Sequence, residues 1–481
     1  MMRKKSFVIF ALCGAILLGA CGRTTETTPE QTEEATTVTT EESTAEITTV
    51  SEIEVETTPE SSAHVARLEP LYAAAAFRPT DDDEIQQRLA FGYTRAEAEI
   101  VDGIVGLGWR AWQKLAASSP DENVVFSTPS LALALGMLAE GAQGVTREEL
   151  VVALGIPEDG KWMEALIAAL NLSLEDDGQP ELIVESSRAL WLQDGYRLRA
   201  DYGETASQAW HADINVWARD EREAAHEAIG EWYEEKSHGL LPATTVPETL
   251  PNESMSLVLL DALYFKGQWW KAFEPAMTMD DVFFTEDGET LPVRMMQQRL
   301  LAQTALVQED YQIAGLLLGG GYEFVVALPT GERGAGELLE DADFRRDFAA
   351  LGEDEAGAAV FDIEWQLPQL DLKLGADLLP LLRELGATAA MGAEADFGGL
   401  FEDAAPGDFV LSALRQDARL LLDEDGVEAA AVTMAAVEAT AMPIQGETLV
   451  MRLDRPFIAE IRSQNGLPLF SMVVHDPGVR P

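Results

Sequence analysis

The stretch LLDALYFKGQWWKAFEP, Leu259 to Pro275, decides how this chain folds. With SMSLV just before it, it makes a strand-like run rich in Leu, Val, Tyr and Phe, carrying a single charge, Asp261, inside its apolar part. A carboxylate there is either a catalytic acid or a hydrogen-bonded structural group. No second acid stands nearby in sequence to complete a catalytic pair, so the structural role is the better reading.

Outward from this run, both hydrophobic periods occur. Helical spacing appears in IVDGIVGLGWRAWQKLAAS, SLALALGMLAEGA, TREELVVALG, MEALIAALNLSL, EAAHEAIGEWYEEKSHG and ADLLPLLRELGA. Strand patterns appear in ELIVESSRALWLQ, YQIAGLLLG, YEFVVALP, VFDIEWQLPQL, ARLLLDEDG, LVMRLDRPFIAEIRS and PLFSMVVHDP. Helices come first and strands dominate the second half, which predicts an α+β fold, not a doubly wound sheet. From Ala98 to Pro481 no linker or repeat interrupts the pattern, so a single large domain is expected there.

Composition narrows the function classes. The chain has 481 residues and a formal net charge of -51, which argues against nucleic acid or anionic lipid as a partner. MMRKK followed by SFVIFALCGAILLGAC has the basic start, short apolar run and small residues of a signal peptide, expected to span residues 1–20. Leu18, Gly19, Ala20 and Cys21 resemble the bacterial lipobox, which implies lipidation of Cys21 and a place on the extracytoplasmic face of the cell envelope. Cys13 leaves with the signal, so no disulfide, catalytic thiolate or cysteine metal site is expected. Residues 21–63 are Thr- and Glu-rich and too polar to fold, a tether with a random-coil span of roughly 35 Å. Residues 64–97 read as a short extension bearing a helix.

Compact chemical signatures are missing. The sequence has no Gly-x-Ser-x-Gly elbow, Ser-x-x-Lys pair, His-Glu-x-x-His helix or phosphate loop. GLGWRA at Gly106 matches a dinucleotide fingerprint by letters but lies inside a helical pattern. His64, His211, His226, His238 and His475 show no metal-ligand spacing. Neither an enzyme nor a cofactor is expected.

Leu259 to Pro275 resembles the serpin signature, in which an Asn-Ala-Ile-Tyr-Phe-Lys-Gly-x-Trp segment forms a strand of the central sheet. NVVFSTPSLALALGMLAEGAQGVTREELVVALG, with Gly141, Ala142, Gly144 and Thr146 in a Gly-Ala-x-Gly-x-Thr pattern, then WYEEKSHGLL, ADFGGL, RPFIAEI and PLFSMVVHDP follow in the family's order. The resemblance covers residues 98–481. It implies the serpin fold, helices around a large central mixed β-sheet with an exposed reactive loop, and a monomeric inhibitor whose partner is a target serine protease. In the shutter of that sheet, the family's Asn and His correspond to Asp261 and Gln416, with Ser127 and Ser130 nearby. A hydrogen bond from the Gln416 amide to the Asp261 carboxylate is the expected substitute. Trp269 matches the breach tryptophan. Gln369 replaces the lysine that often pairs with the hinge glutamate, so Glu424 is expected to lose that ion pair.

The resemblance also gives meaning to DEDGVEAAAVTMAAVEATAMP, Asp423 to Pro443. Glu424, Gly426, Val427, Ala429, Ala430, Ala431 and Thr433 match the hinge of inhibitory members, whose cut loop enters the central sheet as a new strand. Alternation places Val427, Ala429, Ala431, Thr433, Ala435 and Val437 on one face, and Glu428 and Glu438 on the other. Counting as the family does puts the reactive bond at Thr440–Ala441, with Ala441–Met442 the alternative. Small residues there favour elastase-like or subtilisin-like proteases. A non-inhibitory serpin, serving as a binding or structural module on the envelope, is the competing reading.

Overall fold

A computed structural model describes residues 95–156, 182–195, 197–252, 255, 257–351, 357–427, 447–463 and 466–479. All belong to one of the chain's two units, His64–Pro481. The expected signal peptide, Cys21, the expected tether, the expected extension up to residue 94 and the expected helix MEALIAALNLSL lie outside the described residues. The first described helix starts at Arg95, ahead of the boundary expected at Ala98.

The helices, in chain order, are α1 Arg95–Ser118, α2 Thr128–Gly141, α3 Gly144–Leu154, α4 Ala200–Gln208, α5 Arg222–Lys236, α6 Ala335–Leu339, α7 Ala342–Ala349 and α8 Leu379–Glu384. The strands are β1 Val124–Phe126, β2 Leu182–Gln193, β3 Ala212–Trp217, β4 Leu257–Gln268, β5 Met279–Phe284, β6 Thr290–Val307, β7 Tyr311–Leu317, β8 Glu323–Pro329, β9 Ala359–Pro368, β10 Leu370–Asp377, β11 Leu411–Leu422, β12 Gly426–Val427, β13 Glu447–Arg452, β14 Phe457–Arg462 and β15 Pro468–Val474.

Two sheets result. Six strands form the order β10-β11-β12-β4-β2-β3, and nine form β1-β15-β14-β8-β7-β6-β9-β13, with β5 on β6. The signature strand β4 lies inside the first sheet, antiparallel to β2 and parallel to β11. Its alternate residues serve different cores: Leu257 and Leu259 join the helical core, Leu263 and Phe265 the core shared with the second sheet, and Val258, Leu260 and Ala262 pack beneath α5. Helices thus cover part of one face while the second sheet backs the rest, the α+β arrangement that the element order predicts.

Helix α2 is the most buried of these helices, with every residue but Glu140 enclosed. Its N-cap, Ser127, accepts from the Ser130 amide, satisfying a donor that the first turn leaves over. Helix α1 crosses close by at Gly108, where a Cβ would meet the Thr128 side chain at 2.4 Å. This fixes Ser127 and Ser130 directly behind the middle of the six-stranded sheet.

Candidate functional site

The end of β11 makes a tight reversal. Asp423 N–H donates to Gly426 O (2.9 Å), and Asp423 Oδ1 accepts from the Asp425 amide (3.0 Å), an Asp-initiated turn closed by glycine. Burial pushes the Asp423 carboxyl up, while the Asp425 and Gly426 amides pull it back. The reversed chain becomes β12. Val427 stands opposite Leu422 of β11 and Gly267 of β4, and Gly426 opposite Gln268. The hinge residues Gly426 and Val427 are therefore threaded between the two parallel strands.

Gly426 has φ +150, and a Cβ there would lie 2.3 Å from Gly267 O and 2.7 Å from the Gln268 Cα. Both are backbone atoms of a paired strand and cannot yield. Gly426→Ala is expected to expel β12 from the sheet, since holding it would cost about 1–3 kcal/mol in backbone strain alone. Faster hydrogen exchange at the Val427 amide, with proteolysis appearing around Asp423 to Val427, is the measurement. Unchanged protection would show that the strand tolerates the methyl.

Val427 is 2% exposed and packs into the core between the sheets, so its side is the inward one. Trp269 closes the same corner. Its indole Nε1 donates to Asp423 O (2.8 Å), its amide to Asp425 O (3.0 Å), and its ring packs on Phe273 and Phe324, each 5.8 Å away between centroids. The Glu424 carboxylate accepts from Gln369 Nε2 (2.7 Å) and Thr278 Oγ1 (2.5 Å). The expected loss at Gln369 is thus only a loss of charge: the amide keeps the hydrogen bond that an ammonium would make.

Below this corner the seam is open over a stretch. β4 and β11 pair directly from Leu257 opposite Leu411 to Ala262 opposite Asp417. Among the described residues no ladder pair joins them between there and the rung at Val427. Asp261 and Gln416 sit opposite each other next to the fork, both on the inward face.

Their expected mutual hydrogen bond is not made. Gln416 Oε1 accepts from the Ser127 amide (2.9 Å), and its Nε2 donates to Ser127 O (3.2 Å), so the side-chain amide pairs with a backbone peptide instead. Two-point pairing with the N–H and C=O of one fixed residue satisfies both ends of the glutamine, which one carboxylate oxygen could not do. Asp261 turns to Arg188 of β2, whose Nε lies 3.8 Å from Oδ2; both side chains are buried. The other Arg188 nitrogens bond Trp210 O and Ser186 Oγ, and no hydrogen bond of good geometry reaches either Asp261 oxygen. Burial lifts the Asp261 carboxyl to about 6, with Arg188 and the Ser130 hydroxyl drawing it down.

On the opposite face α5 spans the seam. Trp232 Nε1 donates to Asp213 Oδ2 of β3 (3.0 Å), and on the far side Tyr233 lies against Asp417, which Arg415 grips by two bonds of 2.7 and 2.6 Å. Arg419 reaches Leu240 O beyond the helix (3.2 Å) while holding Asp371 of β10. Sequence reasoning did not single out Arg188, Asp423, Arg415 or Asp417. Arg188 left a signal: it is one charge in the apolar run SSRALWLQ, as Asp261 is in its own, and two such isolated opposite charges invite pairing. Ala429, Ala430, Ala431, Thr433, Thr440 and Ala441 lie outside the described residues. Among the described residues no group of three His, Cys, Asp or Glu side chains could hold a metal ion.

Comparison with known proteins agrees with this geometry. The family model for Serpin (serine protease inhibitor) matches residues 103–477. Serine protease inhibitor 42Dd of Drosophila melanogaster is 28% identical over 368 residues, 76% of this chain and 94% of the relative. Neuroserpin of Homo sapiens is 26% identical over 416 residues, 82% and 94% of the two chains. The native-state crystal structure of the thermophilic serpin tengpin superposes with a TM-score of 0.68 at 21% identity, covering 85% of this chain and all of that one. Thyroxine-binding globulin in complex with thyroxine superposes at 0.66 and 22%, covering 78% and 99%.

Proposed function

The chain belongs to the serpin family, and from that premise we propose that it inhibits a serine protease as a suicide substrate. The observation that carries this reading is the threading of Gly426 and Val427 between β4 and β11 above an unladdered stretch of the same seam. A strand that continues inward from Val427 would enter that slot. Its even spacing of small side chains fits burial, and Glu428 falls on the outward side.

The steps follow from this. The protease serine attacks the carbonyl of Thr440, an acyl-enzyme forms, and the freed loop inserts, carrying the protease away before water releases it. The chain contributes stored strain and surface, and the protease supplies all the chemistry. The small residues Thr440 and Ala441 suit elastase-like or subtilisin-like pockets. The signal-like start and Cys21 support anchoring of this domain by lipid at the extracytoplasmic side of the envelope, on the Thr/Glu-rich tether.

Mixing the soluble domain with elastase-like and subtilisin-like proteases should give a complex that survives denaturant. Loop cleavage without any complex would overturn inhibition and favour a non-inhibitory binding module. Cleavage by a protease that escapes trapping should raise the melting temperature, because the inserted strand adds ladder bonds and buries apolar surface. An unchanged melt would rule out insertion.

A further inference from the structure

The seam carries a buried acid where its family has an amide, and the setting of that acid points to a role. Asp261 is 2% exposed, its nearest positive charge is 3.8 Å away, and no hydrogen bond of good geometry reaches either of its oxygens. It stands one rung from the fork at which β4 and β11 part. From β2 it is faced by Arg188, from the start of α2 by Ser130, and from β11 by the neutral Gln416. Through the sheet, Tyr233 of α5 senses its charge alongside those of Asp417 and Arg415.

We infer that Asp261 is a pH-set latch on the opening seam: neutral, it lets the seam stay shut, and ionised, it favours opening. The reason is hydration. A carboxylate held this dry and this poorly paired gains most from water, and parting β11 from β4 removes the strand that covers it. The closed seam therefore binds the proton more tightly than the open one. Closure gains stability as pH falls from above 6 towards 4, and loses it as pH rises again. The sign is opposite to that of a well-paired surface aspartate. For insertion the latch rests on the inhibitory reading above, but the stability of the closed sheet does not.

Two measurements on the soluble domain test it. The first is the urea unfolding equilibrium at pH 5.0 and 7.5. The second is the rate of uptake of a synthetic peptide with the sequence of residues 426–437. On going from pH 7.5 to 5.0 the wild type should become about tenfold more resistant to unfolding, and lose about tenfold in uptake rate, relative to Asp261→Asn. The asparagine variant is isosteric and cannot ionise, so the contributions of every other group cancel in the comparison. Ser130→Ala, which removes a group that draws the carboxyl down, should move the transition to higher pH. Equal pH responses of wild type and Asp261→Asn in unfolding, or a response of opposite sign, would overturn the latch. If unfolding shows the expected difference and no peptide enters either protein at any pH, the latch stands and the insertion reading fails.

Discussion

On the inhibitory mechanism proposed above, Val427→Glu is expected to turn the chain from inhibitor into substrate, with the stable complex falling on the order of tenfold or more in favour of cleaved chain. Val427 is the first hinge residue on the inward face, enclosed in the core between the two sheets beside Leu422 and Trp269. A carboxylate there has no partner, and burying it unpaired costs several kcal/mol. The variant hinge leaves the seam, and insertion begins with a penalty at its first rung, so deacylation overtakes it. Val427→Thr, similar in shape and uncharged, should retain most of the complex. Densitometry of complex against cleaved chain after reaction with a trapped protease decides the matter. Full inhibition by Val427→Glu would mean that this face is not the one insertion buries.

Arg462→Ala should destabilise the domain by about 3–5 kcal/mol in urea unfolding. Arg462 and Glu460 are both buried on β14 and paired to each other, with Ser471 Oγ on the second carboxylate oxygen (3.3 Å) and the guanidinium 4.5 Å above the Phe348 ring. Burial also raises the Glu323 carboxyl, and Arg462 is what opposes that rise. Removing the cation leaves two acids with no compensating charge in an apolar setting. Glu323, already raised by burial, would then take up its proton still more readily folded than unfolded, so the loss should be greatest near neutral pH and shrink as pH falls. Glu460→Leu with Arg462→Met should recover much of the stability, since replacing both partners removes the desolvation penalty instead of exposing it. A loss under about 1 kcal/mol in Arg462→Ala would place the pair among weak surface bridges.

Much of this molecule can be read along one line of residues. The apolar run around Asp261 announces a central strand, and the order of the family's motifs announces the fold. The shutter was less legible. Gln416 and Asp261 are register partners, as the resemblance implies, yet their side chains choose Ser127 and Arg188. The choice depends on the start of α2 lying directly behind the sheet, which brings the Ser127 backbone to Gln416 across nearly three hundred residues of chain. The same holds for the α5 contacts, where Tyr233 meets Asp417 across more than a hundred residues of intervening chain.

The sequence by itself determined most of the elements, their order and the family, because period, turn chemistry and residue size act over a few neighbours. Only the tertiary structure decided that two hinge residues already lie within the sheet, that the seam below them is unladdered, and that Asp261 is dry and barely paired. Burial, register and electrostatic compensation depend on which distant strands come to lie side by side, and no local pattern carries that information.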